Sequence, residues 1–307
     1  MVHTSDQSNP ISLSRQNNPE ISVIIVNFNT AELLTKCLQS IQKQRDATFE
    51  IFVVDNASSD DSVHLINTEF EQINLIANQR NLGFSAANNQ AIPKAKGSLL
   101  LFLNPDTVVH AGAFHAMLDY LLLNPEVGLA GARIINPDGS HQSSVEYRYP
   151  GQRHTADELC SLPGRIAWLS GAAIIARREV IEKINGFDER YFLYGEDIDI
   201  CLSARKAGYP IGYIPNAIIT HWGGQSEILT PATDVLLKKF KAEIIFYRKH
   251  YSKKAVQAIC RANMVQAYWR ILTLSWTLPF SFRKQHHRAK LARYRLTFDF
   301  FKNAYLG

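Results

Sequence analysis

Apolar residues occur along the chain in short unbroken runs, separated by longer stretches of mixed polarity. The runs at 21–29, 49–54, 73–76, 99–103 and 127–132 have the length and composition of buried strands. Between them, 31–44, 60–71, 84–95 and 111–123 read as helices. The first of these puts Leu33, Leu34, Cys37, Leu38 and Ile41 on one face, with Thr30 placed to cap it. Strands that are apolar throughout and alternate with helices predict a mostly parallel α/β sheet covered on both faces. Such sheets bind ligands beyond the C-terminal ends of their strands. Those ends carry Asn27 and Asn29, then Asp55 and Asn56, then Asn104 and Asp106.

Farther along, Glu196, Asp197 and Asp199 crowd into four positions. Tyr191, Phe192 and Tyr194 precede them, and a helical pattern that Gly208 stops follows. Acids in a first helical turn suit the helix dipole. A Glu-Asp pair beside a glycine after an aromatic approach also suits a base held at the mouth of a pocket. After about residue 230 the texture changes. Residues 234–251 form an amphipathic helix with Val235, Leu236, Phe240, Ile244, Ile245 and Tyr247. Residues 264–282 are apolar and aromatic, interrupted by Arg270 and Pro279, and 283–295 hold six Lys and Arg with no acid.

At 307 residues, 46% of them hydrophobic, the chain can bury a substantial core. The pattern divides it into a polar lead-in (1–19), an α/β domain (20–230) and a basic helical region (231–307). The lead-in lacks a signal-peptide profile. The four cysteines, Cys37, Cys160, Cys201 and Cys260, show no metal or redox spacing, which points to a reducing, cytoplasmic setting without structural zinc. The net charge of +5 is concentrated in the late basic run, which suits an anionic partner. No nucleic-acid recognition motif accompanies it, so nucleic acid is not expected. Arg270, Gln266 and Pro279 argue against a membrane span at 264–282. Two readings remain: a helix lying on the surface of an anionic membrane, or a helical subdomain packed on the core.

Individually modest, these motifs are specific in their order and spacing. VIIVNFN (23–29), VVDNASSDDS (53–62), NQRNLGFSAANNQAI (78–92), LFLNPDTVV (101–109), GFDERYFLYGEDIDICLSARKAGY (186–209) and THWGGQS (220–226) together resemble family 2 glycosyltransferases. The nearest flavour is the rhamnosyltransferase-like group of bacterial cell-surface polysaccharide enzymes, and the likeness covers about residues 20 to 225. It implies the GT-A fold, a Rossmann-like, mostly parallel sheet with helices on both faces, here followed by a C-terminal α-helical appendage. It implies inverting transfer of a sugar, such as rhamnose, from a dTDP- or UDP-sugar to a hydroxyl of a glycan or polyprenyl-diphosphate-linked acceptor. The enzyme would be cytoplasmic, peripheral on the inner face of the cell membrane.

By the same resemblance, Asp55 accepts a hydrogen bond from the pyrimidine ring. Asn27, Asn29, Arg80, Asn81 and Gly83 serve the nucleotide, Gly83 by letting the backbone approach closely. Asp106 and His221 hold Mn²⁺ or Mg²⁺ at the diphosphate, with Asn104 beside them or on the ribose. Asn104 stands where the family usually has the first carboxylate of an aspartate pair. Asp197 is the general base, Glu196 orients it or the acceptor, and 168–173 walls the acceptor side. Each has a structural alternative: turn carboxylates for Asp55 and Asp106, a strand-to-helix turn for Arg80, a core histidine for His221, a helix-start acid for Asp199, a plain buried strand for 168–173. A sugar nucleotidyltransferase of related fold would need a glycine-rich basic loop after the first strand, and Asn27-Phe28-Asn29-Thr30 is not one. A non-catalytic, membrane-bound sugar-nucleotide-binding protein would not need a carboxylate for every role.

Overall fold

Each of the five apolar runs forms a strand in the computed structural model, which describes residues 18–155, 158–224, 230–278 and 284–306. The polar lead-in up to residue 17 and the Pro279 break lie outside the described residues. In chain order the first half reads β1 (Ile21–Asn27), α1 (Ala31–Gln42), β2 (Phe49–Asp55), α2 (Ser62–Glu69), β3 (Asn74–Ala77), α3 (Phe84–Ala91), β4 (Leu99–Leu103), β5 (Thr107–Val109), α4 (Ala113–Leu123) and β6 (Leu129–Ile135). The second half continues with β7 (Val145–Glu146), β8 (Trp168–Leu169), β9 (Ala173–Arg177), α5 (Arg178–Lys183), α6 (Glu196–Lys206), β10 (Ile211–His221), α7 (Ala232–His250), α8 (Lys253–Thr277) and α9 (Lys284–Leu306).

The main sheet has eight strands in the order β3-β2-β1-β4-β9-β6-β10-β5. It is mostly parallel and carries the GT-A architecture. β9 and β5 are the exceptions, pairing antiparallel with their neighbours. Neither had been expected as a strand. The stretch 168–173 is also not one strand: β8 pairs with β7 in a separate two-stranded sheet, and β9 begins at its end. β5 is three residues long, too short to show a period.

Helix ends differ from expectation for local reasons. α3 stops at Ala91 and gives way to a 3-10 turn at Ile92–Lys94, because Pro93 has no N–H for the α-helical ladder. Thr30 does not cap α1. Its Oγ1 donates to Asn27 Oδ1 at 2.7 Å, and Asp60 Oδ2 accepts the Ala31 N–H instead at 2.9 Å.

Alternation along the central strands divides the core. Val23, Ile25, Leu101 and Leu103 face α1 and α4. Ile24, Phe52 and Phe102 face α3 and α6, meeting Ile200, Cys201 and Ala204. A third cluster joins α7, α8 and α9 to Tyr149, Leu159, Tyr191 and Leu202. α6 therefore contributes to two cores, with Cys201 toward the sheet and Leu202 toward the C-terminal helices. Among the described residues, no helix is long and apolar enough to cross a membrane.

Candidate active site

A cavity of about 350 Å³ lies at the C-terminal ends of the central strands. Of the residues expected at a site, Asn81, Gly83, Asn104, Asp106, Glu196, Asp197 and His221 line it. The chain brings them together from four separate segments, and each is held by identifiable contacts.

β4 ends at Leu103, and the turn through Pro105 is fixed by Thr107, whose Oγ1 donates to the Asn104 carbonyl at 2.7 Å. β5 then pairs with the end of β10, with His221 in register with Thr107. That register sets His221 beside Asp106, which is nearly fully buried. Gln142 decides the imidazole tautomer. Its Nε2 donates to Asn136 Oδ1 at 3.2 Å, so the oxygen is the atom 2.8 Å from His221 Nδ1. An amide oxygen only accepts, so Nδ1 carries the proton. In the neutral ring Nε2 then presents a lone pair, 3.3 Å from Asp106 Oδ1 and 3.3 Å from the Asn104 amide. A carboxylate oxygen and an imidazole lone pair facing each other fit a divalent cation between oxygen-rich partners. Gln142 plays the orienting part that carboxylates or carbonyls play behind metal-bound histidines. The described residues contain no cluster of three or more His, Cys, Asp or Glu able to hold a metal, so further ligands would have to come from a diphosphate or water.

On the α6 side, Tyr194 and Gly195 both adopt left-handed backbone, with φ of 72° and 81°. This sharp entry delivers Glu196 and Asp197 into the cavity at the start of the helix. Asp197 Oδ2 accepts the Gly171 N–H at 3.1 Å, and Oδ1 accepts the Ile198 N–H at 2.8 Å. Burial raises the pKa of Asp197 above the ordinary carboxylate range, against the opposing effect of those two amide bonds. Burial raises Glu196 as well, and the adjacent Asp197 adds to it. Desolvation thus outweighs the favourable helix dipole. Glu196 Oε2 is buried without a hydrogen-bond partner among the described residues. A buried carboxylate pair with raised pKa values in a cleft is suited to accepting a proton near neutral pH.

Asp199 turns away from the cavity. It accepts hydrogen bonds from Tyr191 Oη at 3.2 Å, Lys249 Nζ at 2.8 Å and His250 Nε2 at 2.7 Å. Lys249 also reaches Asp188 at 2.9 Å. Hydrogen bonding to Arg190, then Lys249, holds Asp188 well below the usual carboxylate range. Asp199 is more than a helix-start acid: it ties α6 to α7.

α7 in turn walls the site. Lys238 lines the first cavity. Lys239, Ala242, Glu243 and Phe246 line a second, mostly apolar cavity of about 260 Å³ with Trp168 and Ile198. Tyr194 and Asp197 line both cavities. Lys239 Nζ sits 4.8 Å from the Tyr194 ring centroid.

Among the described residues, Asn27, Asn29, Asp55 and Arg80 are not in the cavity lining. The first three organise the loops beneath it. Asp55 is buried and accepts from Asn27 Nδ2 at 2.8 Å, Ser58 Oγ at 2.6 Å and the Ser58 N–H at 2.9 Å. Asn29 Oδ1 accepts the Ser59 N–H at 2.7 Å. This network presents the next residue, Asn56, to the cavity. Arg80 is exposed beside Asn81. Gly83 does permit a close approach, and its neighbour is Phe192: a Cβ there would lie 2.6 Å from the Phe192 carbonyl oxygen. Residues not foreseen in the lining include Phe192, Tyr194 and Lys238, and Gln142 behind His221. Phe192 and Tyr194 stood in the aromatic approach to Glu196, but nothing in the local pattern marks Gln142 or Lys238.

A sequence profile described as "Glycosyltransferase like family 2" matches residues 19–240. The chain belongs to this family. Among its relatives is the N-acetylglucosaminyl-diphospho-decaprenol L-rhamnosyltransferase of Mycobacterium tuberculosis. It is 26% identical over 309 residues, which cover 90% of this chain and 95% of that protein. The O-antigen chain rhamnosyltransferase RfbN of Salmonella typhimurium is 22% identical over 209 residues, covering 66% of each. In fold, this glycosyltransferase is similar to the mannosyltransferase PcManGT of Pyrobaculum calidifontis, solved with GDP-Man and Mn²⁺. The TM-score is 0.58 at 16% identity, covering 95% of this chain and 88% of that one. It is also similar to S. aureus TarS 1-349 in complex with UDP-GlcNAc, with a TM-score of 0.53 at 15% identity, covering 90% and 71%.

Proposed function

We propose that this glycosyltransferase moves a sugar, rhamnose by likeness to its relatives, from a nucleoside-diphosphate donor to a hydroxyl of a glycan or polyprenyl-diphosphate-linked acceptor, with inversion. The observation that carries this is Asp197. It borders the cavity that holds Asp106 and His221, and it also borders the aromatic second cavity beneath α7. The first cavity suits a dTDP- or UDP-sugar, with Asn56, Asn81 and Gly83 toward the nucleoside and Asn104, Asp106 and His221 toward the diphosphate. The second suits the acceptor: Trp168, Tyr194 and Phe246 offer flat apolar surfaces for a sugar ring, and Lys239 offers a positive charge at its wall.

In this reading Asp197 takes the proton of the acceptor hydroxyl. The acceptor oxygen forms its bond to the anomeric carbon as the bond from that carbon to the diphosphate oxygen breaks, and the nucleoside diphosphate leaves with the electron pair. The Gly171 N–H fixes the carboxylate orientation, and burial keeps the pKa high enough to favour proton uptake. Glu196 lies one residue away in the wall of the same cavity, where it would orient Asp197 or the acceptor. Asp106 and His221 would hold Mn²⁺ or Mg²⁺, whose charge would offset that building on the departing diphosphate.

The test is Asp197→Asn with purified protein, following donor binding by calorimetry and transfer to a lipid-linked or soluble glycan acceptor. Binding should persist while turnover falls by about 10² to 10⁴-fold. Turnover at the wild-type rate would remove Asp197 from the reaction.

A further inference from the structure

α8 has two unlike faces. Ala255, Val256, Ile259, Cys260 and Ala267 are buried. Val265, Tyr268, Trp269, Leu272 and Trp276 are between 47% and 79% exposed. Their spacing, i, i+3, i+4, i+7 and i+11, aligns them in one stripe along the helix. Scattered exposed apolar side chains are normal, but an aligned stripe with two tryptophans and a tyrosine marks a contact surface. Among the described residues, the one ring contact along it is a tilted one between Tyr268 and Phe298, with centroids 6.2 Å apart.

The surroundings of the stripe are basic. α8 carries no Asp or Glu, and α9 carries one, Asp299. Arg270 is exposed directly after Trp269. Lys284, His286, Arg288 and Lys290 stand exposed at the start of α9, six positions and more past Leu278 at the end of α8. Among the described residues, none of the lysines and arginines in that group enters an ion pair.

We propose that this stripe is a membrane-surface docking face whose occupant is the interfacial zone of a bilayer containing anionic lipid. Tryptophan and tyrosine favour the boundary between headgroups and acyl chains, where one end of the ring is dry and the other wet. A one-sided stripe on a helix too polar to span suits a helix lying in that plane. The basic flank supplies the attraction to anionic headgroups. Two copies of this chain docked stripe to stripe would bring basic flanks together without acids to meet them, so a lipid surface is the better complement. The proposal does not depend on the transfer reaction.

The experiment is flotation of the full chain with vesicles of phosphatidylcholine alone or mixed with phosphatidylglycerol, at low and high salt. A Trp269→Ser, Trp276→Ser double variant and an Arg288→Ser, Lys290→Ser double variant are compared with wild type. Wild type should float with the anionic vesicles and much less with the neutral ones. The tryptophan variant should lose at least about tenfold in partitioning. The basic variant should lose affinity mainly at low salt. Both should keep wild-type circular dichroism, melting temperature and donor-nucleotide binding, so a failure of the transfer proposal would register separately. Equal flotation of the tryptophan variant would overturn the proposal. So would indifference to lipid charge, or a tryptophan-dependent dimer that ignores vesicles.

Discussion

Replacing Asp199 with Asn should loosen the seam between α6 and the C-terminal helices. The wild-type carboxylate receives three donors, and its side chain and that of His250 are both nearly inaccessible. His250 is neutral in this arrangement: Nε2–H donates to Asp199, while Lys206 Nζ, 3.1 Å from Nδ1, can only donate to it. The amide of Asn offers one oxygen and turns an NH₂ toward the remaining donors. An unmet buried donor costs about 1–3 kcal/mol, and both Tyr191 Oη and His250 Nε2 are at risk. Lys249 is partly exposed and keeps Asp188 at 2.9 Å, so its share is discounted to below about 1 kcal/mol. A loss of about 3 kcal/mol is expected, within the range for a broken buried pair. At about 2–4 °C per kcal/mol for a chain of this size, that lowers the melting temperature by about 6–12 °C. Differential scanning fluorimetry measures it, with Asp188→Asn as the milder control. There is also a pH signature. Burial lowers the His250 pKa, against the pull of Asp199. A depressed histidine contributes stability above its unfolded pKa of about 6.5, and that contribution is lost as pH falls through the folded value. Wild type should therefore lose stability on acidification below about pH 6.5. An Asp199→Asn variant melting within about 2 °C of wild type would refute the view that this contact seats α7 on α6.

Three further outcomes follow from the same geometry. His221→Ala and Gln142→Ala should each weaken donor binding in the presence of Mn²⁺ by about tenfold or more, with little change once the metal is chelated; an unchanged Gln142→Ala would dissociate that side chain from the imidazole. Glu196 has a raised pKa, so its ionisation costs the fold stability as pH rises through the folded value; Glu196→Gln should gain about 1–3 kcal/mol over wild type at pH 9 and little at pH 5, and parallel melting curves across that range would contradict the assignment. Gly83→Ala places a Cβ against the Phe192 carbonyl at a φ of +85°, so it should cost at least about 1–2 kcal/mol and weaken nucleotide binding together, as read by melting temperature and calorimetry.

Much of the sheet was legible because its strands are buried on both faces and so appear as unbroken apolar runs. Three members escaped: β5 is three residues long and too short to show a period, β9 follows a Ser-Gly-Ala stretch whose small residues carry little pattern, and β10, though parallel to β6, is interrupted by Pro215 and Asn216. Within the site, Asn104, Asp106, Glu196 and Asp197 were readable because polar residues at strand and helix ends have few structural duties there. Asp55 shows the limit of that logic. It stands at a strand end as expected, yet its oxygens serve Asn27 and Ser58, and Asn56 faces the cavity. α7 was legible as an amphipathic helix, but its part in the site was not. Which of its faces meets Tyr194 and Asp197 is set by contacts more than forty residues away, through Lys249 and His250.

The two-sided burial of α6 also bears on how acceptor preference can be re-engineered. One helical turn holds the candidate base at 197 and the anchor at 199, so the wall that the two cavities share at Asp197 is mechanically tied to α7. A chimera that exchanged α7 for that of another transferase, to change what the second cavity accepts, would have to carry Lys249 and His250 or their equivalents with it. Swapping the helix without that latch would alter the chemistry even where the new acceptor fitted.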